Sequence, residues 1–307
     1  MKLRKYGCIM CVILMYGTTG GSPVSAKEIC TDETRVLRFL INAAGNSDKK
    51  LVLPSGVEGG SIPTHDGKRL TYFVVRARDK TGGLIDSPKG YVLVLPGNAQ
   101  LAETLVIPPK RSVDKIPLAP LAERGYDVYV FQYRGYGRSN DEESPSLESL
   151  FSDINVIVEF LKTAVSKSGT GYGQRFAYTL SGGGVVLLNA TVEQNTFDAV
   201  VLDSMPGNVN FKTSWLAFFL GLYFNFQCPS DVQPENLIKK FAARIGIIQG
   251  GRDEIVPLNE KQKAFLRSIN KIARVVHRPE WGHPFAKGDS FINDRLQLAI
   301  ELLEKPH

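Results

Sequence analysis

The chain has 307 residues, 43% of them hydrophobic and 22% charged, with 37 Lys and Arg against 31 Asp and Glu. That length and balance support one large α/β domain or two small ones with a sizeable core, and they argue against disorder. Three of the 37 cations fall within residues 1–26, which hold no acid, so the remainder carries 34 against 31, a balance of only +3. The remaining charges are scattered, with no Lys/Arg stripe interleaved with stacking aromatics, which gives a nucleic-acid role little support.

The N-terminal residues have the layout of an export signal. Lys2, Arg4 and Lys5 precede a short apolar run at residues 7–16, and Val24-Ser25-Ala26 offers a small-residue cleavage site before Lys27. The run is too short to cross roughly 30 Å of hydrocarbon. Residues 1–26 are therefore expected to be a cleaved signal peptide, and the mature chain to be secreted or periplasmic. Cleavage would leave Cys30 and Cys228, which either pair in an oxidising compartment or stay as two buried thiols; both readings are open. Two cysteines without a nearby histidine cluster do not make a metal site.

Residues 27–60 read as an N-terminal extension with a short helix over 32–44, and 61–307 as one domain. A strand pair is expected at 69–77 and 91–95, joined by turn-rich residues 79–89. The second of these, Tyr91-Val92-Leu93-Val94-Leu95, is apolar throughout, as a strand buried on both faces of a parallel sheet should be. Strands at 126–133, 176–178, 200–202, 245–248 and 273–277 then alternate with helices at 146–165, 183–191, 259–269 and 290–303. The helix at 146–165 places Leu147, Leu150, Phe151, Ile154, Ile157, Val158 and Leu161 at helical spacing. This alternation predicts an α/β fold, a mostly parallel sheet flanked by helices. Residues 211–226 (FKTSWLAFFLGLYFNF) break the rhythm and are crowded with aromatics. They suit either a buried helix or a small cap, whose apolar wall would shelter a lipid-like acyl substrate and touch a lipid surface.

The chemistry centres on Phe176-Ala177-Tyr178-Thr179-Leu180-Ser181-Gly182-Gly183-Gly184. A buried strand, a serine and a glycine-opened helix form the order that a nucleophile elbow needs. Serine catalysis also requires a base, an acid to orient it, and donors for the oxyanion. Of the histidines at 65, 277, 283 and 307, His283 sits on a loop in Glu280-Trp281-Gly282-His283-Pro284, after the last strand and before the last helix. The acid should follow another strand between serine and histidine. Asp253, after a Gly-Gly turn, is favoured over Asp203, with Glu254 a weaker third. Backbone N–H groups of Gly182 and of Asn98, in the loop after strand 91–95, are the expected oxyanion donors.

These motifs resemble the α/β-hydrolase superfamily, in particular its small-cap serine esterases. The resemblance runs over roughly residues 60–305 in the family's order. It includes Thr64-His65-Asp66-Gly67, Pro96-Gly97-Asn98, Tyr133-Arg134-Gly135-Tyr136-Gly137-Arg138-Ser139, Gly251-Arg252-Asp253 with Val256-Pro257, and Gly282-His283. It implies a Ser181–Asp253–His283 triad, no metal or organic cofactor, and cleavage of a carboxylic ester or thioester through an acyl-enzyme. Thr179 stands where the family's elbow has glycine, and Pro96 where its oxyanion loop has histidine. A peptidase or amidase of the same fold, or a binding protein on the same scaffold, are the alternative readings.

Overall fold

In the computed structural model, described over residues 28–44, 51–108, 116–139, 145–167, 173–190, 196–212, 224–285 and 289–305, one sheet organises the chain. The strands in chain order are β1 Val57–Pro63, β2 Arg69–Val75, β3 Gly90–Leu95, β4 Tyr126–Phe131, β5 Gln174–Leu180, β6 Ala199–Asp203, β7 Phe211–Lys212, β8 Asn225–Phe226, β9 Arg244–Gly250 and β10 Ala273–Arg278. The helices are α1 Glu33–Ala44, α2 Glu103–Val106, α3 Ala119–Ala122, α4 Leu147–Lys167, α5 Gly182–Leu188, α6 Pro234–Leu237, α7 Glu260–Ile269 and α8 Ile292–Glu304. Residues 1–26, read as an export signal, and 213–223, the middle of the aromatic segment, lie outside the described residues.

The large sheet runs β1-β2-β4-β3-β5-β6-β9-β10. From β4 to β10 every neighbouring pair is parallel, while β2 is antiparallel to both β1 and β4. One expectation is corrected here: the segments at 69–77 and 91–95 do not pair with each other. β2 lies between β1 and β4, and β3 between β4 and β5. The reason is β1, whose Val-Glu-Gly-Gly-Ser-Ile-Pro sequence carries no strand periodicity yet takes one edge of β2 over its full length. β1 also begins inside the segment assigned to the extension.

Side chains alternate across the pleat and divide the core into two layers. Leu93, Leu95, Phe131, Ala177, Val200 and Ile247 pack with α4, α5 and α7 on one face. Val92, Val94, Val130, Tyr178, Val201 and Ile248 pack with α2, α3 and α8 on the other. β3 and β4 are buried at every position, which explains the apolar run of β3 and that of β4 after Asp127, whose buried carboxylate accepts the Ala77 N–H at 2.8 Å.

The N-terminal helix is stitched to this body rather than left as an appendage. The buried Glu33 carboxylate accepts the N–H groups of Ile29 (2.8 Å) and Cys30 (2.9 Å) and, with its other oxygen, that of Leu147 at the start of α4 (2.6 Å). β7 and β8 form a two-stranded antiparallel ribbon that brackets the aromatic segment, with Phe211 stacked on Phe226. Asp32 accepts the Asn225 N–H at 2.7 Å, the Thr31 N–H donates to the Gln227 carbonyl at 2.9 Å, and Cys30 is disulfide-bonded to Cys228. The disulfide links residues 198 apart in sequence. A cross-link over so long a loop constrains the unfolded chain strongly, and its loss typically costs about 2–5 kcal/mol. Replacing both cysteines (Cys30→Ser/Cys228→Ser) is expected to lower Tm by several degrees. Alkylation of the unreduced, unfolded wild type should modify neither Cys30 nor Cys228; alkylation of both would contradict the pairing.

Candidate active site

Parallel strands end on one edge of a sheet, so the loops after β3, β5, β6, β9 and β10 gather there. Ser181 is the single residue between β5 and α5. Its backbone lies at φ 50°, ψ −120°, a conformation that side chains rarely adopt and that a sharp strand-to-helix turn imposes. The turn is anchored by the Ser181 N–H, which donates to the carbonyl of Asp203 at the end of β6 (2.8 Å). Thr179, the departure from the elbow pattern, is fully buried, and its hydroxyl donates across to the Val201 carbonyl of β6 (3.4 Å).

The loop after β3 lies against the elbow. A Cβ added to Gly182 would fall 2.4 Å from Asn98 Oδ1, so the glycine lets the Asn98 side chain lie directly against the start of α5. The first N–H groups of a helix have no intrahelical acceptor, and that of Gly182 opens α5 beside Asn98. With Pro96 in place of histidine, other groups brace this loop. The Tyr133 hydroxyl donates to the Pro96 carbonyl (2.8 Å), Gln100 accepts from Gly97 (3.0 Å), and Gln132 accepts from Ala102 (2.7 Å). Burial holds the Tyr133 hydroxyl well above its ordinary pKa, so it stays a donor. The rest of the Tyr133–Ser139 motif fixes the same corner. Arg134 is ion-paired with Asp66 and, at 2.5 Å, with Asp153, while Ser139 accepts from Thr71 (2.8 Å).

Asp253 and His283 meet. His283 Nδ1 lies 2.9 Å from Oδ2 and 3.0 Å from Oδ1 of Asp253, whose side chain is fully buried. Asp253 Oδ1 also accepts the N–H groups of Ile255 (2.9 Å) and Val256 (2.8 Å), closing its own turn. Burial raises the pKa of this carboxyl. The opposing effects of His283, the Val256 N–H and the Ser204 hydroxyl prevail and hold it below the ordinary value, so it is an anion suited to accept an imidazole N–H. Direct backbone contact between the two loops sets the pairing. Arg252 donates to the Trp281 carbonyl and Gly251 to that of Arg278, both at 2.9 Å. A Cβ on Gly250 would lie 2.4 Å from the Trp281 carbonyl oxygen.

The other candidates are engaged elsewhere or exposed. The Asp203 carboxylate accepts from Arg295 (2.8 Å) and from the Tyr178 hydroxyl (2.9 Å). Glu254, His65 and His277 are exposed, and His307 lies outside the described residues. No hydrogen bond joins Ser181 to His283 among the described residues; such contacts often tighten only when substrate is bound. Arg295 and Ser204, absent from the sequence reading, turn out to border the site. The one signal for Arg295 is its place on the apolar stripe of α8 that carries Leu296, Leu298, Ala299, Leu302 and Leu303.

Comparison with known proteins agrees with this architecture. The family described as serine aminopeptidase, S33 matches residues 117–226, which hold β4 to β6 and the elbow. No curated protein sequence matches the chain. Among solved structures, an esterase of Pyrococcus furiosus is similar at TM-score 0.61 and 17% identity, over 84% of this chain and 95% of that one. An acylaminoacyl peptidase of Pyrococcus horikoshii is similar at TM-score 0.56 and 15% identity, over 84% of this chain and 42% of that one. A puromycin-hydrolysing peptidase of Mycobacterium tuberculosis is similar at TM-score 0.56 and 13% identity, over 85% of this chain and 41% of that one. The fold is the α/β-hydrolase fold that the sequence motifs resembled.

The Gly250 contact yields a test of how the site is assembled. Gly250→Ala is expected to destabilise the protein by about 1–3 kcal/mol, because a backbone carbonyl must move to admit the methyl. Gly173→Ala, whose added Cβ would meet only the Lys89 carbonyl oxygen at 3.5 Å, should leave Tm nearly unchanged. Equal thermal shifts in the two variants would contradict the tight apposition of the β9 and β10 loops.

Proposed function

We propose that the protein is an exported serine hydrolase that cleaves a carboxylic ester or thioester through an acyl-enzyme on Ser181. One observation carries the reading: a strained elbow serine shares a sheet edge with a hydrogen-bonded Asp253–His283 pair. In this mechanism Ser181 Oγ attacks the acyl carbon and gives its proton to His283 Nε2, while Asp253 stabilises the imidazolium through Nδ1–H. The N–H groups of Gly182 and Asn98 take the oxyanion. Collapse breaks the acyl–oxygen or acyl–sulfur bond, and His283 returns the proton to the leaving group. Water then attacks the acyl-enzyme by the same route and releases the acid. Acyl-chain binding is assigned to the aromatic segment bracketed by β7 and β8, and export is supported by the N-terminal pattern together with the Cys30–Cys228 bond.

A peptidase or amidase reading draws support from the serine aminopeptidase family match and from the peptidases among the similar structures. The two are separated by comparing p-nitrophenyl acyl esters of graded chain length with aminoacyl p-nitroanilides on one enzyme preparation. The ester reading expects higher kcat/KM on esters with an optimum in chain length; a reversed preference selects the peptidase reading. In either case Ser181→Ala, His283→Ala and Asp253→Asn are each expected to lower kcat by about 10³-fold or more, with little change in Tm. Full activity in folded Ser181→Ala would remove both readings.

A further inference from the structure

We infer that Asp203 and Arg295 form a buried positioning pair that fixes Ser181, Asp253 and His283 relative to one another, a role that rests on the triad reading above. Asp203, the last residue of β6, touches the elbow through its backbone, since its carbonyl accepts the Ser181 N–H at 2.8 Å. Its carboxylate accepts from the hydroxyl of Ser204 at 3.2 Å, and the same hydroxyl helps to hold the neighbouring Asp253 carboxyl below its ordinary pKa. Ser204 is held in the left-handed region at φ 54° and is anchored by its N–H to the Ile248 carbonyl (2.8 Å), so its hydroxyl stands fixed against the Asp203 carboxylate.

Arg295 completes the link to the base. One arm of its guanidinium donates to Asp203 at 2.8 Å, and another donates to the carbonyl of Gly282, the residue immediately before His283. The guanidinium packs over the Trp281 ring at 4.8 Å, and Nε lies 3.4 Å from Asp289, on the far side of the same loop. The whole side chain is excluded from solvent. The rigid fork offers separate, pre-oriented donors to a strand end and a loop carbonyl at once, through Nη1 and Nη2. Burial pushes the Asp203 carboxyl up, and Arg295, Tyr178 and Ser204 oppose that push. Such pairs give little stability beyond apolar residues of the same volume. The gain therefore lies in orientation: one ion pair ties the elbow, the acid and the base loop to a single helix.

The test uses Arg295→Lys and the double variant Asp203→Asn/Arg295→Met in the full chain. Lysine keeps the charge but lacks the fork. The double variant removes both charges, an exchange that usually preserves folding. Both are expected to keep Tm within about 5 °C of wild type. Turnover of p-nitrophenyl acetate is expected to fall about 10- to 100-fold in kcat at unchanged KM. In a His283→Ala background the same substitutions should change kcat less than about twofold, because residues that act as a unit are not additive. Wild-type kcat in the folded double variant, or an equal loss with and without His283, would overturn the proposal. A second readout needs no turnover. The proton on His283 Nδ1 should give a downfield NMR resonance through its bond to Asp253, and that resonance should shift or vanish in Arg295→Lys. An unmoved resonance would overturn the positioning role. Absence of turnover in wild type would instead count against the ester reading, and the resonance would still decide the role of Arg295.

Discussion

The constraint on which the rest of the structure depends is the parallel alignment of β4, β3, β5, β6, β9 and β10. Parallel pairing sends every strand's carboxyl end to one edge, so residues far apart in sequence arrive together without any long loop to carry them. Asn98, Ser181, Asp203, Asp253 and His283 each follow or close a different strand of that set. Backbone hydrogen bonds do the final alignment: Ser181 to Asp203, Arg252 to Trp281, Gly251 to Arg278. These bonds lie between neighbouring strand ends, and none reaches across an open site.

The same edge concentrates strain and buried charge. Of the non-glycine residues at positive φ, Ala99, Ser181, Ser204 and Phe285 all lie in the loops that build it. Strained backbone persists only where the surrounding structure over-determines it. Here the surroundings are a fully buried sheet centre and an ion pair closed on both sides. The Asp253 carboxylate, despite burial, is kept anionic by His283, Val256 and Ser204. The network is rigid because its charged members hold one another, Asp253 with His283 and Asp203 with Arg295.

Much of the fold was legible in the chain because β3, β4, β5, β6 and β9 each have an apolar centre and alternate with helices, the pattern of buried parallel strands. The candidate residues were legible through their order and their glycine-flanked turns. What escaped reading had a physical reason in each case. β1 carries two central glycines and no alternation, so nothing local announced a strand, and the partner of β2 was therefore misassigned. The Cys30–Cys228 bond depends on a separation in space that spacing along the chain does not encode. Arg295 was hidden because a cation on the apolar face of a helix has meaning only once Asp203 is known to face it. Pro96 and Thr179 read as departures from a motif, yet Tyr133, Gln100 and Gln132 brace the first and the Val201 carbonyl accepts the hydroxyl of the second.

The central claim is that Ser181 is an activated nucleophile served by His283 and Asp253. Reaction of the folded protein with a fluorophosphonate, followed by peptide mapping in a mass spectrometer, tests it most directly. One adduct per chain on the peptide containing Ser181 is the expected result, with labelling slowed strongly in His283→Ala and abolished in Ser181→Ala. An unlabelled wild type, or an adduct that persists in Ser181→Ala, would contradict it.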